Sequence, residues 1–165
     1  MQIDGAGPGP GGEPGDGELV DAVMRASRVL VAVAARSLAA AGDVSLPQYR
    51  VLVLLAGRGP QRAVDLAAAL AINPSSATRL IDRLARAGLV RKHRMASDRR
   101  SNRIGLSPAG RELVDEVTRR RREEFEQLLA AVPVDRHHLV VTALQALADA
   151  AGEPPEHDLA VGLGD

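Results

Sequence analysis

The chain has 165 residues with 21 basic and 21 acidic side chains, so its formal net charge is zero, and it holds one Tyr, one Phe and no Trp or Cys. That length suits one domain or one subunit of an intimate dimer, and the lack of Cys excludes disulfides, thiolate zinc sites and thiol redox sensing. No run reaches about 18 uncharged apolar residues, the length a membrane span needs, and residues 1–17 lack the basic start and apolar centre of a signal peptide, so a cytoplasmic protein with a core of Leu, Val and Ala is expected.

Residues 1–17 are Gly/Pro-rich with almost no apolar content and read as a disordered tail. A long helix is predicted from Glu18 to Ala41, with Leu19, Val23, Ala26, Leu30, Val33 and Leu38 near helical spacing and Gly42 as its stop. Ser45 is the expected N-cap of a second helix, with Pro47 in its first turn and Tyr49, Leu52, Val53 and Leu55 continuing it. Gly57 to Pro60 ends that helix, Gln61 to Ala63 reads as a short extended piece, and Val64 to Leu70 as a third helix. Ala71-Ile72-Asn73-Pro74 is the next turn, with Asn73 as N-cap of a fourth helix that runs to about Ala87 and stops at Gly88.

Leu89 to Met95 and Asn102 to Leu106 read as two strands of a hairpin around a charged turn. Ser107 and Pro108 then open a long helix to about Val132. Pro133 breaks it, Asp135 caps a last helix to about Ala150, and Gly152 closes that one. The predicted fold is all-α with a small β-hairpin wing. It divides into a tail (1–17), an N-terminal dimerisation helix (18–45), a winged helix-turn-helix (46–107), C-terminal dimerisation helices (108–151) and a flexible tail (152–165).

Zero net charge superficially argues against nucleic acid, but the charges are segregated. Asn73 to Gly105 holds nine cations against two acids, a net +7, which leaves −7 for the remainder. A basic block in an acidic body is the electrostatic footprint of a polyanion partner. Two short helices, a tight turn and a β-hairpin constitute a winged helix-turn-helix. Its second helix must turn an apolar face inward and a cationic face outward. Ala77, Leu80, Ile81 and Leu84 fall on one face, and Ser75, Ser76, Arg79, Arg83 and Arg86 on the other.

Ser75, Ser76 and Thr78 lie near the start of this helix, where base edges and phosphates are met and free backbone N–H groups donate to an anion. Arg79 and Arg83 have the reach for bidentate contact to guanine, and Asp82 is placed to steer a neighbouring Arg. The turn of the hairpin holds Arg94, Asp98, Arg99, Arg100 and Arg103. Arg side chains there suit a narrow minor groove, and Asp98 is expected to orient an Arg rather than touch DNA. The competing reading is a solvated charged surface.

With these residues in place, the chain resembles the MarR family of regulators. The likeness lies in Asn73-Pro74-Ser75-Ser76-Ala77-Thr78-Arg79-Leu80-Ile81-Asp82-Arg83-Leu84, in Ala87-Gly88-Leu89-Val90-Arg91-Lys92, in Asp98-Arg99-Arg100, and in Ile104-Gly105-Leu106-Ser107-Pro108-Ala109-Gly110. With the flanking helices it spans about Leu19 to Ala150. The resemblance implies a triangular homodimer whose winged domains each read half of a palindrome in double-stranded DNA. It also implies that Asp98 steadies an Arg while Arg99 or Arg100 enters the minor groove, and that a small-molecule effector binds between the dimer helices and the winged domain.

The long terminal helices support a dimer independently, because little else in the chain can cover their apolar faces. Arg25, Arg28 and Arg36 on the first helix and Tyr49 and Arg50 on the second are the candidate effector contacts, suited to a small carboxylate or phenol. The shortage of aromatics argues against an aromatic-lined pocket. Arg119 to Arg122 circle their helix and read as a solvated face balanced by Asp115–Arg119 and Glu116–Arg120 pairs.

His93, His137, His138 and His157 form no metal-ligand pattern, no nucleophile–base pair suggests an enzyme, and no cofactor is implied. The expected function is that of a ligand-responsive transcriptional regulator, most simply a repressor. An architectural or low-specificity winged-helix DNA-binding protein without an effector is the alternative.

Overall fold

In a computed structural model the described residues are 15–40, 42–94 and 102–152, with His93, Arg94 and Asn102 described by their backbone alone. The expected tails, apart from residues 15–17 and 152, and the wing tip from Met95 to Ser101 lie outside them. Helix α1 (Asp16–Ala39) begins two residues earlier than the periodicity suggested. Asp16 and Glu18 occupy its first turn, where negative charge complements the exposed N–H groups. Helix α2 (Leu46–Arg58) follows, and Gln48 Oε1 accepts hydrogen bonds from the Ser45 N–H and hydroxyl, both at 2.8 Å. Gly59, at φ +67°, turns the chain out of α2.

The extended piece after α2 is a strand, β1 (Gln61–Arg62), rather than a free connector. It leads into α3 (Ala63–Ala69), α4 (Pro74–Arg86), β2 (Val90–Arg94) and β3 (Asn102–Leu106). The wing is therefore a three-stranded antiparallel sheet in the order β1-β3-β2, not a two-stranded hairpin. Val90 pairs with Leu106, Arg94 with Asn102, and Gln61 with Ile104. Periodicity could not reveal β1, because two residues carry no alternation; β3's open edge supplies its partner.

Helix α5 (Pro108–Leu129) closes the winged domain, and a 3-10 turn (Val134–Arg136) leads into α6 (His137–Ala151). Asp135 does not cap α6, as expected from the sequence, but lies inside that turn. The backbone after Pro133 winds immediately, so helix precedes the residue that would have capped it.

Two helix ends share one backbone solution. After α3, Ile72 N–H reaches Ala67 O at 3.0 Å and Ala71 N–H reaches Ala68 O at 3.1 Å. After α4, Leu89 N–H reaches Leu84 O at 2.9 Å and Gly88 N–H reaches Ala85 O at 3.0 Å. Both are paired closures that need a left-handed residue just past the helix. Gly88 supplies it at φ +74° and Ala71 at φ +53°.

The core lies where α2, α4, α5 and the sheet meet. Val51, Leu52, Leu55, Leu66, Leu84 and Val117 are nearly sealed from solvent, with Ile81, Leu89, Val90, Ile104 and Val114 around them. The first turn of α5 is fixed to this core by close approach. A side chain at Gly110 would place its Cβ 2.1 Å from Leu89 O, so only Gly fits. Ser107 completes the joint: its hydroxyl donates to Gly88 O at 2.6 Å and accepts from Gly110 N–H at 3.0 Å, while its own N–H reaches Leu89 O at 3.1 Å.

By contrast, α6 has no buried residue, and α1 buries only Val33, Ser37 and Leu38 near its C-terminal end. No helix among the described residues is long and apolar enough to cross a membrane.

Candidate nucleic-acid interface

Asn73 sets the start of α4. Its Oδ1 accepts from the Ser76 N–H at 2.8 Å and from the Ser75 hydroxyl at 2.8 Å, and Pro74 fills the first helical position. Thr78 donates to Pro74 O at 3.0 Å. Ala77 N–H reaches Asn73 O at 3.1 Å, so in this first turn the Ser75 N–H is the one left for an anion such as phosphate.

Helix α4 is sharply two-sided. Ala77, Ile81 and Leu84 are buried and Leu80 is half-buried, whereas Ser75, Thr78, Arg79, Arg83 and Arg86 are exposed and Ser76 is half-exposed. Arg86 Nε donates to Asp82 O at 3.3 Å along the helix. Arg79 and Arg83 make no hydrogen bond or ion pair among the described residues. Both side chains are exposed, as contact with an external acceptor requires.

Asp82 does not steer an Arg, as the spacing suggested. Its carboxylate takes the Lys92 ammonium of β2 at 3.3 Å, so the ion pair joins α4 to the wing. Helical spacing points to partners on the same helix, and the fold supplied one from a strand. The backbone of Arg94 ends β2, while Asp98, Arg99 and Arg100 lie outside the described residues.

A second cluster at the base of the wing escaped sequence reading. Arg62 and Arg103 face each other across the β1–β3 pair. Like charges so placed repel, and two contacts offset this. Arg62 makes a two-pronged bond to Asp65 at 2.8 and 2.9 Å, and Arg103 donates to Pro60 O at 3.1 Å. The Arg62 hydrogen bonds, with its charge and that of Arg103 adding, hold the Asp65 carboxyl below its ordinary range. The three-residue spacing of Arg62 and Asp65 was the available signal.

The candidate effector residues are distributed differently. Arg25 and Arg28 are exposed on α1 and Arg50 is exposed on α2, each without a hydrogen bond or ion pair among the described residues. Arg36 is occupied by Glu124 of α5, with Nε donating at 2.9 Å. Tyr49 is buried, with its hydroxyl 3.4 Å from Thr118 Oγ1 and the Arg121 guanidinium 5.5 Å from its ring centre. The Arg121 Nε is buried without a hydrogen-bond partner among the described residues.

The arginine run on α5 is therefore not uniformly solvated. Arg119 binds Glu116 and Glu123 rather than Asp115, Arg120 binds Glu116 and reaches Ala40 O at 3.1 Å, and Arg121 turns inward to Tyr49. Hydrogen bonds from Arg119 and then Arg120 hold the Glu116 carboxyl below its ordinary range.

Comparison with known proteins agrees with this geometry. The MarR family profile matches residues 44–101, from just before α2 to just short of β3. An HTH-type transcriptional regulator of Mycobacterium leprae is 31% identical over 134 residues, which cover 81% of this chain and 90% of the relative. The chain belongs to the MarR family. A Mycobacterium tuberculosis protein of known structure is 35% identical with a TM-score of 0.79, covering 88% of this chain and 99% of that one.

Bordetella bronchiseptica BpsR, whose DNA binding is regulated by 6-hydroxynicotinic acid, shares the fold at 24% identity and a TM-score of 0.60, with 84% of this chain and 99% of that one covered. This MarR-family chain is accordingly a DNA-binding transcriptional regulator and not an enzyme. The profile match covers α2, α3, α4 and β2, and of these α4 is the element best suited to a groove.

Proposed function

We propose that this MarR-family regulator binds a palindromic operator as a homodimer and acts as a repressor released by a small molecule. The observation that carries the DNA reading is the two-sided α4, with an outward row of Ser75, Thr78, Arg79, Arg83 and Arg86 over a buried Ala77–Ile81–Leu84 face. In this reading Ser75, Ser76 and Thr78 meet phosphate or base edges and Arg79 and Arg83 read bases. Arg86 and Arg94 hold the backbone, and Arg99 or Arg100 enters the minor groove with Asp98 orienting it.

The dimer reading rests on apolar surface that one chain leaves uncovered. Leu19, Val20, Val23, Met24 and Leu30 of α1 and Leu139, Val141, Leu144 and Leu147 of α6 are each more than a third exposed. Beside them an open cavity of about 210 Å³ is lined by Leu129, His137, Val140, Val141 and Leu144. Monomers rarely leave so many large apolar side chains in water along two helices. A second copy would cover it in a two-fold arrangement and present two reading heads about one DNA turn apart.

The effector is an anionic or phenolic small molecule. Arg25, Arg28 and Arg50 supply cations with no hydrogen bond or ion pair among the described residues, and Tyr49 lies against Arg121, whose buried Nε has no hydrogen-bond partner among them. The small aromatic acid that regulates BpsR is of that chemical class. A 6-hydroxynicotinate or benzoate probe should weaken operator binding, and an R28A/Y49F variant should respond less; an unchanged response in that variant removes both residues from the effector site.

The deciding experiment measures binding to short duplexes from upstream of the protein's own gene, beside a scrambled duplex, across a salt series. Much tighter binding to a palindromic site, falling steeply as salt rises and lost in R100A, supports the operator reading. Equal binding to both duplexes replaces it with the architectural one.

A further inference from the structure

The reading head contains one acid where an acid is least expected. Among the described residues between 73 and 105, Asp82 is the only carboxylate, set on the helix that carries Arg79, Arg83 and Arg86. Its partner, Lys92, is the only lysine of the chain. The ammonium and carboxylate stand 3.3 Å apart, with both side chains about half exposed. An exposed ion pair of this kind adds little to folding. The joint between α4 and β2 is already made by the Leu89 N–H to Leu84 O bond and by buried Leu84, Leu89 and Val90. The consequence of the pair is therefore felt mainly by a polyanion approaching this face.

We infer that Asp82 is a positioning residue that sets specificity: it holds Lys92 on the recognition helix and keeps that cation from binding phosphate wherever the protein lands. Sequence-independent affinity grows with the number of phosphates neutralised, whereas discrimination comes from base-edge contacts. A flexible lysine free on β2 would add a phosphate contact on any duplex. Paired with Asp82 it adds none, and the carboxylate itself repels a misplaced backbone. Arg79 and Arg83, which have no ion pair among the described residues, keep their reach to base edges. The tether thus lowers binding to random DNA more than binding to a site where α4 is seated by its arginines.

This inference rests on the operator reading, and the test keeps the two apart. The full chain and its D82N, K92Q and D82N/K92Q variants are compared on two probes, a palindromic duplex selected from a random pool by the wild-type protein and its scrambled counterpart. Each is titrated across salt, with thermal melting and circular dichroism to check folding.

D82N is expected to bind the scramble several-fold more tightly, to lower the palindrome-to-scramble ratio, and to steepen the logarithmic salt slope by about 0.9, one phosphate contact. K92Q in the presence of Asp82 is expected to leave the slope unchanged, and the double variant to return it to the wild-type value. An unchanged or weakened scramble affinity in D82N overturns the inference, as does a K92Q slope that falls by about 0.9, because Lys92 would then already be on phosphate. If the wild type binds both probes alike, the operator reading fails, while the D82N and K92Q slopes on the scramble still decide whether Asp82 withholds Lys92.

Discussion

Ala71 and Gly88 occupy the same position in the same helix-ending motif, each the left-handed residue after a helix in the reading head. Glycine adopts that conformation freely, whereas alanine meets its own carbonyl. The turn between α3 and α4 thus carries strain that the turn after α4 avoids. Ala71 is exposed, so its methyl group returns little packing energy. A71G is expected to raise stability by up to about 1 kcal/mol, and G88A to lower it by about 1 kcal/mol, both read from denaturant midpoints. Equal and opposite shifts would trace to this one dihedral preference; destabilisation by A71G would show that the added freedom of the unfolded chain outweighs the relieved strain.

Helix α5 links the reading head to the uncovered surface, and its charges do so specifically. Glu116 gathers Arg119 and Arg120, Arg120 continues to the carbonyl of Ala40 at the end of α1, and Glu124 takes Arg36 of α1. Glu116 is held below the ordinary carboxylate range by Arg119 and Arg120, and Asp65 by Arg62. Because both pKa values are depressed by folding, their contribution is complete above the unfolded carboxylate range. It is lost as pH falls through the lower folded values. The melting temperature should therefore be flat near neutral pH and fall on acidification. E116Q and D65N should each show a smaller fall than the wild type, and high salt should reduce the difference, since these pairs face solvent.

At the scale of the whole molecule, the winged domain is a closed core and the terminal helices are not. Helix α6 has no fully buried residue in a single chain, and Leu144, which lines the apolar cavity, is 46% exposed. If a second copy covers this face, L144E should shift the sedimentation coefficient from dimer to monomer and weaken palindrome binding by the loss of the second half-site. V64E, at a somewhat more exposed apolar position on α3, should leave the assembly state unchanged. A monomeric wild type would remove the dimer from the proposed function, whereas a dimeric L144E would place the interface elsewhere.

The sequence by itself determined the order of helices, the caps at Asn73 and Ser107, the stop at Gly88 and the two faces of α4. Each of these is a local matter of periodicity or of one side chain satisfying nearby backbone groups. It also carried the family likeness, in the run from Asn73 to Gly110. Only the tertiary structure decided that β1 joins the wing, because two residues become a strand solely through the edge they meet. The same holds for Lys92 rather than an Arg taking Asp82, and for Arg121 turning inward to Tyr49, since both contacts join elements that sequence spacing does not relate. Gly110 shows the division most directly: its place in the motif is visible in the sequence, but the reason for it, a carbonyl of Leu89 where a methyl group would stand, exists only once α5 has packed against the end of α4.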